Sequence, residues 1–270
     1  MEKISVLMSV YKKEKPEYLR ASLDSMLSQT RTADEILLVE DGPLTEELYA
    51  VIDEYQKKCD SLHVHAIKEN VQLGRALAQG VEACRHELIA RMDTDDIAMP
   101  DRLEKEATYM EMHPEVDVVG GAIREFNDEG TVDRVKYMPK TQEEILEYVK
   151  YRNPLNHMTV MYRKQSILKA GNYKHFPFLE DYSLWSRMLS EGYQFRNVDD
   201  ILVRARTSMN LVKRRSGWSY YKGFQKLRKQ QHDLGLTNTY EYVKSQLGTF
   251  VVLMLPGWLK EFSYKKFLRK

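Results

Sequence analysis

The chain has 270 residues, 43% of them hydrophobic and 30% charged, which is typical of one large globular α/β domain with room for a small appendage. Its formal net charge of +1 provides no overall attraction for nucleic acid, so no nucleic-acid partner is expected. No signal peptide is visible, and no apolar run reaches the roughly 20 residues that a membrane-spanning helix needs. We therefore expect a cytoplasmic protein, or one that lies on the inner face of the cell membrane.

Short apolar segments alternate with amphipathic segments over the first hundred residues. The predicted strands cover residues 4–10, 35–39, 62–67 and 87–92. The predicted helices cover residues 16–27, 45–59 and 74–84, and the first two carry apolar residues at helical spacing. Strands that alternate with helices predict a parallel sheet covered by helices on both faces.

Acidic residues follow two of these strands. Asp41 ends the second strand, and Asp93, Asp95 and Asp96 end the fourth. Ligands bind at the carboxyl ends of strands in open α/β sheets, and crowded carboxylates repel one another unless a cation lies among them. Mg²⁺ and Mn²⁺ take oxygen ligands and are often shared with substrate phosphates, so we hypothesise a metal–diphosphate site. An acidic turn that also caps the helix opening near Pro100 explains the triplet equally well.

The alternation weakens after residue 100. Helices are predicted over residues 102–113, 141–151, 166–170 and 183–191. Strands are predicted over residues 117–121, 159–162 and 198–204, with a hairpin at 123–135 around Asp128-Glu129-Gly130. This part of the chain is expected to complete the same domain.

Glu180 and Asp181 form a second acidic pair, reached through Phe176-Pro177-Phe178. One interpretation is that Asp181 caps the helix that follows, since Asp is a favoured N-cap residue. The other is catalytic, because a metal–diphosphate site activates only a leaving group. A carboxylate on the far side of the reacting carbon can take the proton from an incoming hydroxyl.

The composition changes after residue 206. Between residues 213 and 229, lysines and arginines are interleaved with aromatic residues and no acid is present. This pattern fits a solvated helix face, a site for single-stranded nucleic acid, or a surface for anionic lipid or a lipid-linked diphosphate. Residues 206–217 are also a candidate loop that closes over a bound ligand. The final segment, with Trp258 in an apolar stretch before a basic end, fits either a membrane anchor or a buried terminal helix.

Five short motifs, taken together, resemble glycosyltransferase family 2 over residues 3–205. They are Ser-Val-Leu-Met-Ser-Val-Tyr at 5–11, Ile-Leu-Leu-Val-Glu-Asp-Gly at 36–42, Asn70 with Gly74-Arg75-Ala76, Met-Asp-Thr-Asp-Asp at 92–96, and Leu-Glu-Asp-Tyr-Ser-Leu-Trp at 179–185. The resemblance is greatest to bacterial enzymes of capsule, exopolysaccharide or lipopolysaccharide synthesis. It implies an inverting enzyme with the α/β GT-A fold, a mixed, mainly parallel sheet flanked by helices, in residues 1–205. Residues 206–270 would then form a helical basic extension.

The resemblance also implies which residues bind the nucleotide of the donor. Asp41 would hold the nucleobase, usually uracil, in a pocket that Ser9 and Tyr11 also line. Arg75 would help to hold the nucleotide.

The remaining motif residues are implied in metal binding and chemistry. Asp93 would contact ribose or sugar, and Asp95 would be the principal ligand of Mn²⁺ or Mg²⁺, with Asp96 beside it. Asp181 would be the general base, and Glu180 would contact hydroxyls of the acceptor or sugar.

Two features differ from the simplest family pattern or add to it. Many GT-A enzymes use a late histidine as a further metal ligand, but residues 203–207 contain none. The metal would then depend on Asp95 alone, or Arg206 would neutralise phosphate charge directly. His157 is a candidate for substrate binding, with a structural role as the equal alternative.

The expected function is transfer of a sugar from a nucleotide diphosphate sugar, a UDP-sugar, to a hydroxyl of a glycan or lipid-linked acceptor in cell-surface polysaccharide synthesis. A nucleotidyltransferase on a similar sheet is one alternative, but residues 11–16 lack the glycines of its usual phosphate loop. A non-catalytic module that binds nucleotide or polysaccharide is the other.

Overall fold

The computed structural model describes residues 1–207 and 218–254 of the chain. The strands in these ranges are β1 (Ile4–Val10), β2 (Glu35–Asp41), β3 (Leu62–Ile67), β4 (Leu88–Asp93), β5 (Ile97–Ala98), β6 (Val118–Phe126), β7 (Asp133–Lys136), β8 (Met161–Arg163) and β9 (Phe195–Arg206). The helices are α1 (Pro16–Leu27), α2 (Glu46–Lys58), α3 (Leu73–Ala83), α4 (Arg102–Met112), α5 (Gln142–Tyr148), α6 (Lys164–Lys169), α7 (Glu180–Ser190), α8 (Trp218–Asp233) and α9 (Thr239–Met254). A 3₁₀ turn, His157–Thr159, precedes β8.

All of these strands belong to one sheet in the order β3-β2-β1-β4-β8-β6-β9-β5, with β7 paired to β6. The first four run parallel, so β1 lies between β2 and β4. β8 is antiparallel to both β4 and β6, whereas β9 is parallel to β6. The sheet is therefore mixed and mainly parallel, as predicted, and the ends of β1, β2 and β4 open to one side.

The sheet carries a hydrophobic core on each face because its central strands are almost entirely apolar. Alternate residues of a strand point to opposite faces. Val6 and Met8 of β1 accordingly join the core packed by α1, α2 and α4. Leu7 joins the core packed by α3, α5, α6 and α7. The predicted covering of both faces by helices is confirmed.

Several predictions for the second half are wrong at their boundaries, among them the helix at 141–151, which ends at Tyr148, and the strand at 117–121, which continues to Phe126. The strand predicted at 198–204 is the longer β9, which starts at Phe195 because β6 extends beside it and pairs with it. The segment predicted as a strand at 159–162 begins as the 3₁₀ turn and continues as β8. The helix predicted at 183–191 begins at Glu180, with Leu179 as its N-cap residue. The predicted hairpin is confirmed, since β6 and β7 pair antiparallel.

The last two described helices pack onto the rest of the protein, and α8 does so through two buried polar side chains. Arg228 is buried and donates to the Tyr182 hydroxyl of α7 at 3.0 Å and to the Lys150 carbonyl at 2.8 Å. Gln231, also buried, donates to the Ser186 hydroxyl of α7 at 3.0 Å. The division at residue 205 stays a prediction.

Two predicted features lie outside the described residues. They are most of the predicted loop at 206–217 and the predicted anchor around Trp258. Among the helices that the structure does describe, none combines the length and apolar character needed to cross a bilayer.

Candidate active site

The residues predicted to bind a nucleotide meet at the open ends of the parallel strands. Ser9 of β1 lies opposite Val39 of β2 and Asp93 of β4, and Tyr11 directly follows β1. Asp41 is the last residue of β2. One short edge of the sheet thus brings together side chains from three separate segments of sequence.

Asp41 is held rigidly at this edge. Its carboxylate accepts from the Val71 backbone N–H at 2.6 Å and from Asn70 Nδ2 at 2.9 Å, and burial raises its pKa. The turn after it requires glycine, since Gly42 has a φ of +83° and a Cβ there would lie 2.6 Å from the Asn70 nitrogen. This close approach keeps Asp41 against the segment that leads into α3.

Arg75 lies in the first turn of α3, exposed to solvent. The start of this helix packs on the start of α7, because a Cβ on Gly74 would lie 2.6 Å from the Lys174 carbonyl and 3.1 Å from the Glu180 Cβ. Gly74, the residue before Arg75, therefore lies against the second acidic pair.

The acidic triplet forms a compact cluster at the end of β4. Oxygens of Asp93, Asp95 and Asp96 all lie within 4.8 Å of one another. The capping alternative for this triplet is wrong, because β5 separates it from α4 and the N-cap residue of α4 is Asp101.

The three carboxylates differ in their engagement with the protein. Asp93 pairs with the Arg91 guanidinium, and Asp96 is buried and accepts from the Arg206 backbone N–H at 2.7 Å. Asp95 is half-buried and forms no ion pair with any described residue. Of the three, Asp95 has the carboxylate most available to a ligand.

The charge in this cluster is poorly compensated by the protein. Burial, with the neighbouring charges of Asp93 and Glu14, raises the pKa of Asp95 to about 7. Burial, with the charges of Asp93 and Asp95, raises the pKa of Asp96 well above its ordinary value. A divalent cation is the kind of ligand that such a set of oxygens fits.

Glu14 is a member of this group that the sequence did not reveal. Its Oε2 accepts from the Thr94 hydroxyl at 2.7 Å, and burial raises its pKa. Glu14 lies in a charged loop with no local pattern to mark it. Only the fold brings it to Thr94, which is 80 positions away in the chain.

Arg206 connects the cluster to the β6–β7 hairpin. Its Nε donates to the Asp95 carbonyl at 3.0 Å, and its Nη1 pairs with Asp128 at the hairpin tip. The guanidinium carbon lies 3.9 Å from the ring centre of Tyr18 and 4.6 Å from that of Phe126. Because protein groups hold this guanidinium, its direct contact with phosphate stays a prediction.

Glu180 and Asp181 lie in the first turn of α7, both almost completely buried. The suggestion that Asp181 caps this helix is wrong, since Leu179 holds the cap position. Asn153 Nδ2 donates to Asp181 Oδ2 at 2.5 Å and thereby orients the carboxylate. Burial raises the pKa of Glu180 to about 7, with Asp181 and the charge of Asp93 adding to the effect. Asp93 of the acidic triplet and Glu180 of the acidic pair are thus close enough for their charges to interact.

Arg91 is a buried cation between these acidic groups. It is 2% exposed and pairs with Asp93, while its Nε and Nη1 have no hydrogen-bond partner among the described residues. Its charge also opposes the rise in the pKa of Glu180. An arginine inside an otherwise apolar strand was the visible signal for this residue in the sequence.

His157 lies in a cluster of buried aromatic side chains near Arg91. Its Nε2 is 3.0 Å from the Tyr173 hydroxyl, and its ring meets Trp185 edge-on at 6.3 Å. Burial, with the nearby charge of Arg91, lowers its pKa well below the ordinary value, so the ring is neutral at pH 7. A role for His157 in substrate binding stays a prediction.

Comparison with known proteins identifies close relatives of this arrangement. The family described as Glycosyl transferase family 2 matches residues 5–175. The amylovoran biosynthesis glycosyltransferase AmsE of Erwinia amylovora is 40% identical over 262 residues, which are 97% of this chain and 98% of AmsE. The UDP-Gal:alpha-D-GlcNAc-diphosphoundecaprenol beta-1,3-galactosyltransferase of Escherichia coli is 31% identical over 99% of this chain and 97% of its own length. The S. aureus TarS 1-349 structure with UDP-GlcNAc matches with a TM-score of 0.71 and 16% identity, over 98% of this chain and 76% of that one.

Proposed function

The chain belongs to glycosyltransferase family 2 and has its GT-A fold, and we propose that it is an inverting, metal-dependent enzyme with a UDP-sugar donor. The sugar is transferred to a hydroxyl of a glycan or lipid-linked acceptor. One observation carries the proposal: three carboxylates lie within 4.8 Å of one another where β4 ends, at the edge of the sheet where β1 and β2 also end. The donor diphosphate is assigned to this cluster and the acceptor hydroxyl to the buried acids that open α7.

The nucleotide is assigned to the edge formed by β1 and β2. Asp41 accepts hydrogen bonds from the ring N–H of the base, while Ser9 and Tyr11 line the same edge. Arg75, at the start of α3, offers a cation to the phosphates. A UDP-Gal donor named for one relative and UDP-GlcNAc bound to the TarS structure support a uridine nucleotide.

The acidic cluster fits a divalent cation. The donor set consists of hard carboxylate oxygens within 4.8 Å, and burial, with the charges of Asp93 and Glu14, raises the pKa of Asp95. Asp95 would be the principal ligand of Mn²⁺ or Mg²⁺, with Asp93 and Asp96 beside it. When bound, the cation supplies positive charge to the diphosphate that departs.

Asp181 is assigned as the general base. It takes the proton from the acceptor hydroxyl as that oxygen bonds to the anomeric carbon and the bond to the diphosphate breaks. This single displacement inverts the configuration of the carbon. Asn153 holds the carboxylate in one orientation, and the buried Glu180 beside it is placed to bind a hydroxyl of the sugar or acceptor.

The acceptor is assigned to a lipid-linked glycan in cell-surface polysaccharide synthesis. The name of one relative specifies a GlcNAc-diphosphoundecaprenol acceptor, and AmsE is named for the synthesis of amylovoran. A lipid-linked acceptor would place the enzyme at the inner face of the cell membrane.

The proposal is tested by incubating the full chain with UDP-sugars and one GDP-sugar, with Mn²⁺ or with EDTA. We expect release of UDP from at least one UDP-sugar, dependent on the metal and lost in Asp95→Asn. Release that is equally fast in EDTA would contradict the metal assignment. Tight binding of UDP with no turnover of any donor and acceptor pair would instead favour a non-catalytic binding module.

A further inference from the structure

Helix α9 carries an apolar stripe that faces solvent rather than the core. Tyr240, Val243, Leu247 and Phe250 are 74%, 48%, 61% and 45% exposed. Their spacing of three and four residues places them on one face of the helix. Exposed apolar side chains that are contiguous in this way mark a surface that binds something.

The stripe continues across α8 to the candidate active site. The ring of Trp218, which is 56% exposed, lies tilted 5.1 Å from that of Tyr221, and the ring of Tyr221 lies 5.7 Å from that of Phe250. Tyr220 packs on Phe178 at 5.8 Å, and Phe178 is itself 53% exposed. Phe178 lies just before the first turn of α7, so this aromatic surface reaches the helix that carries the proposed base.

The charges around the stripe are positive. Lys222 and Lys226 of α8 and Lys244 of α9 are exposed. No acid occurs between residues 207 and 232 of the sequence. The nearby acids of these helices are already paired, Asp233 with Lys229 and Glu241 with Lys150. An apolar stripe with lysines beside it complements a lipid interface with anionic head groups.

We propose that one surface of the last two described helices binds an anionic membrane. This surface, the docking face, consists of the exposed side chains of α8 and α9 between Trp218 and Phe250. The aromatic and aliphatic side chains enter the interface while the lysines meet phosphate head groups. This orientation brings the start of α7 to the bilayer, where a lipid-linked acceptor is presented; this inference therefore rests on the proposed acceptor. A symmetric dimer through the docking face is disfavoured, because it would bring the lysines of two copies together.

The test is flotation of the full chain with vesicles of phosphatidylethanolamine and phosphatidylglycerol, and with vesicles of phosphatidylcholine. The test variant is Val243→Glu/Leu247→Glu. The matched control is Tyr49→Glu/Met112→Glu, which adds the same charge at exposed apolar positions outside the docking face. We expect salt-sensitive binding of the wild type to the anionic vesicles, lowered about tenfold or more in the test variant and little in the control.

Three results would overturn the inference: no vesicle binding by the wild type, equal losses in the two variants, or a wild-type dimer that only the test variant dissociates. The last would assign the docking face to a second copy of the chain. Mn²⁺-dependent UDP binding, measured by calorimetry on the same samples, is expected to be unchanged in both variants. If the wild type showed no Mn²⁺-dependent UDP binding, the proposed function would be refuted. The vesicle result would still decide whether the docking face binds a membrane.

Discussion

The first and second halves of the candidate site are built in different ways. The proposed nucleotide and metal half lies at the ends of β1, β2 and β4, where pairing of parallel strands places Asp41 and Asp93 at one edge. The proposed base half comes from the first turn of α7 and the loop residue Asn153, which only packing between distant segments brings together. Because the two halves have separate supports, a substitution in one should leave the task of the other largely intact.

Asp181→Asn should have the largest effect, because it should prevent sugar transfer and leave donor binding intact. Asp181→Asn keeps the shape of the side chain and removes the base, so turnover should fall about 10³-fold while Mn²⁺-dependent UDP binding stays near the wild-type value. Steady-state kinetics and calorimetry measure the two quantities. Glu180→Gln is the matched control at the neighbouring residue. Its loss of turnover should be smaller than that of Asp181→Asn, and its main effect should be on KM. Full turnover by Asp181→Asn would refute the base assignment.

The next effect is confined to the nucleotide half. Gly42→Ala puts a methyl group 2.6 Å from the Asn70 nitrogen at a φ of +83°, so Asp41 must shift and UDP affinity should fall about tenfold or more. Gly130→Ala is the control, since its φ is +67° and nothing lies within 4 Å of the added carbon. If both variants bind UDP equally well, the turn does not position Asp41 for the base.

The metal site should respond to pH in a defined direction. The pKa of Asp95 is raised to about 7 without metal, and a cation needs the ionised carboxylate. Mn²⁺ affinity should therefore fall as pH drops below 7, by up to about tenfold per pH unit for one displaced proton, and level off above it. Calorimetric titrations between pH 5.5 and 8.5 measure this. An affinity that stays flat below pH 7 would contradict the assignment of Asp95.

The same shift predicts the stability of the metal-free chain. A carboxyl whose folded pKa lies above its unfolded value contributes stability at low pH that is lost as pH rises through the folded value. Metal-free protein should thus lose some free energy of unfolding between about pH 4 and 7, and Mn²⁺ should restore it. Denaturant unfolding with and without Mn²⁺ tests this, and a metal effect absent at pH 7 would count against the site.

The smallest effect tests whether the β6–β7 hairpin supports the acidic cluster. Asp128→Asn weakens the hold on Arg206, whose backbone N–H donates to Asp96, so Mn²⁺ affinity should fall about tenfold or less. Asp133→Asn on the same hairpin is the control, because Asp133 is exposed and pairs with Arg124 instead. Equal Mn²⁺ affinities for the two variants would show that the hairpin does not support the cluster.

The sequence predicted the parallel strands well, but it predicted poorly the elements that depend on packing between distant segments. The reason is physical. β1 is an apolar run, β3 alternates apolar residues with two histidines, and charged residues lie just beyond each strand, so their limits follow from local pattern. β5 has two residues and depends on its pairing with β9, so no local pattern marks it. α7 starts earlier than expected because packing carries two acids into its first turn and leaves Leu179 at the cap.

The residues of the candidate site show the same difference between local pattern and packing of distant segments. Asp41 and the acidic triplet could be placed because they directly follow buried strands. Glu14 could not, since its partner Thr94 is remote in the sequence. The environment of Arg206 was equally hidden, because its stacking on Tyr18 depends on α1 and β9 meeting in three dimensions.

The most direct test of the central claim is calorimetric binding of UDP to the wild type and to Asp95→Asn, each in Mn²⁺ and in EDTA. The account predicts tight binding only for the wild type in Mn²⁺, with a loss of about a hundredfold in EDTA and a similar loss in the variant. Equal affinity in all four measurements would contradict it, because the acidic cluster would then have no part in holding a cation against the diphosphate.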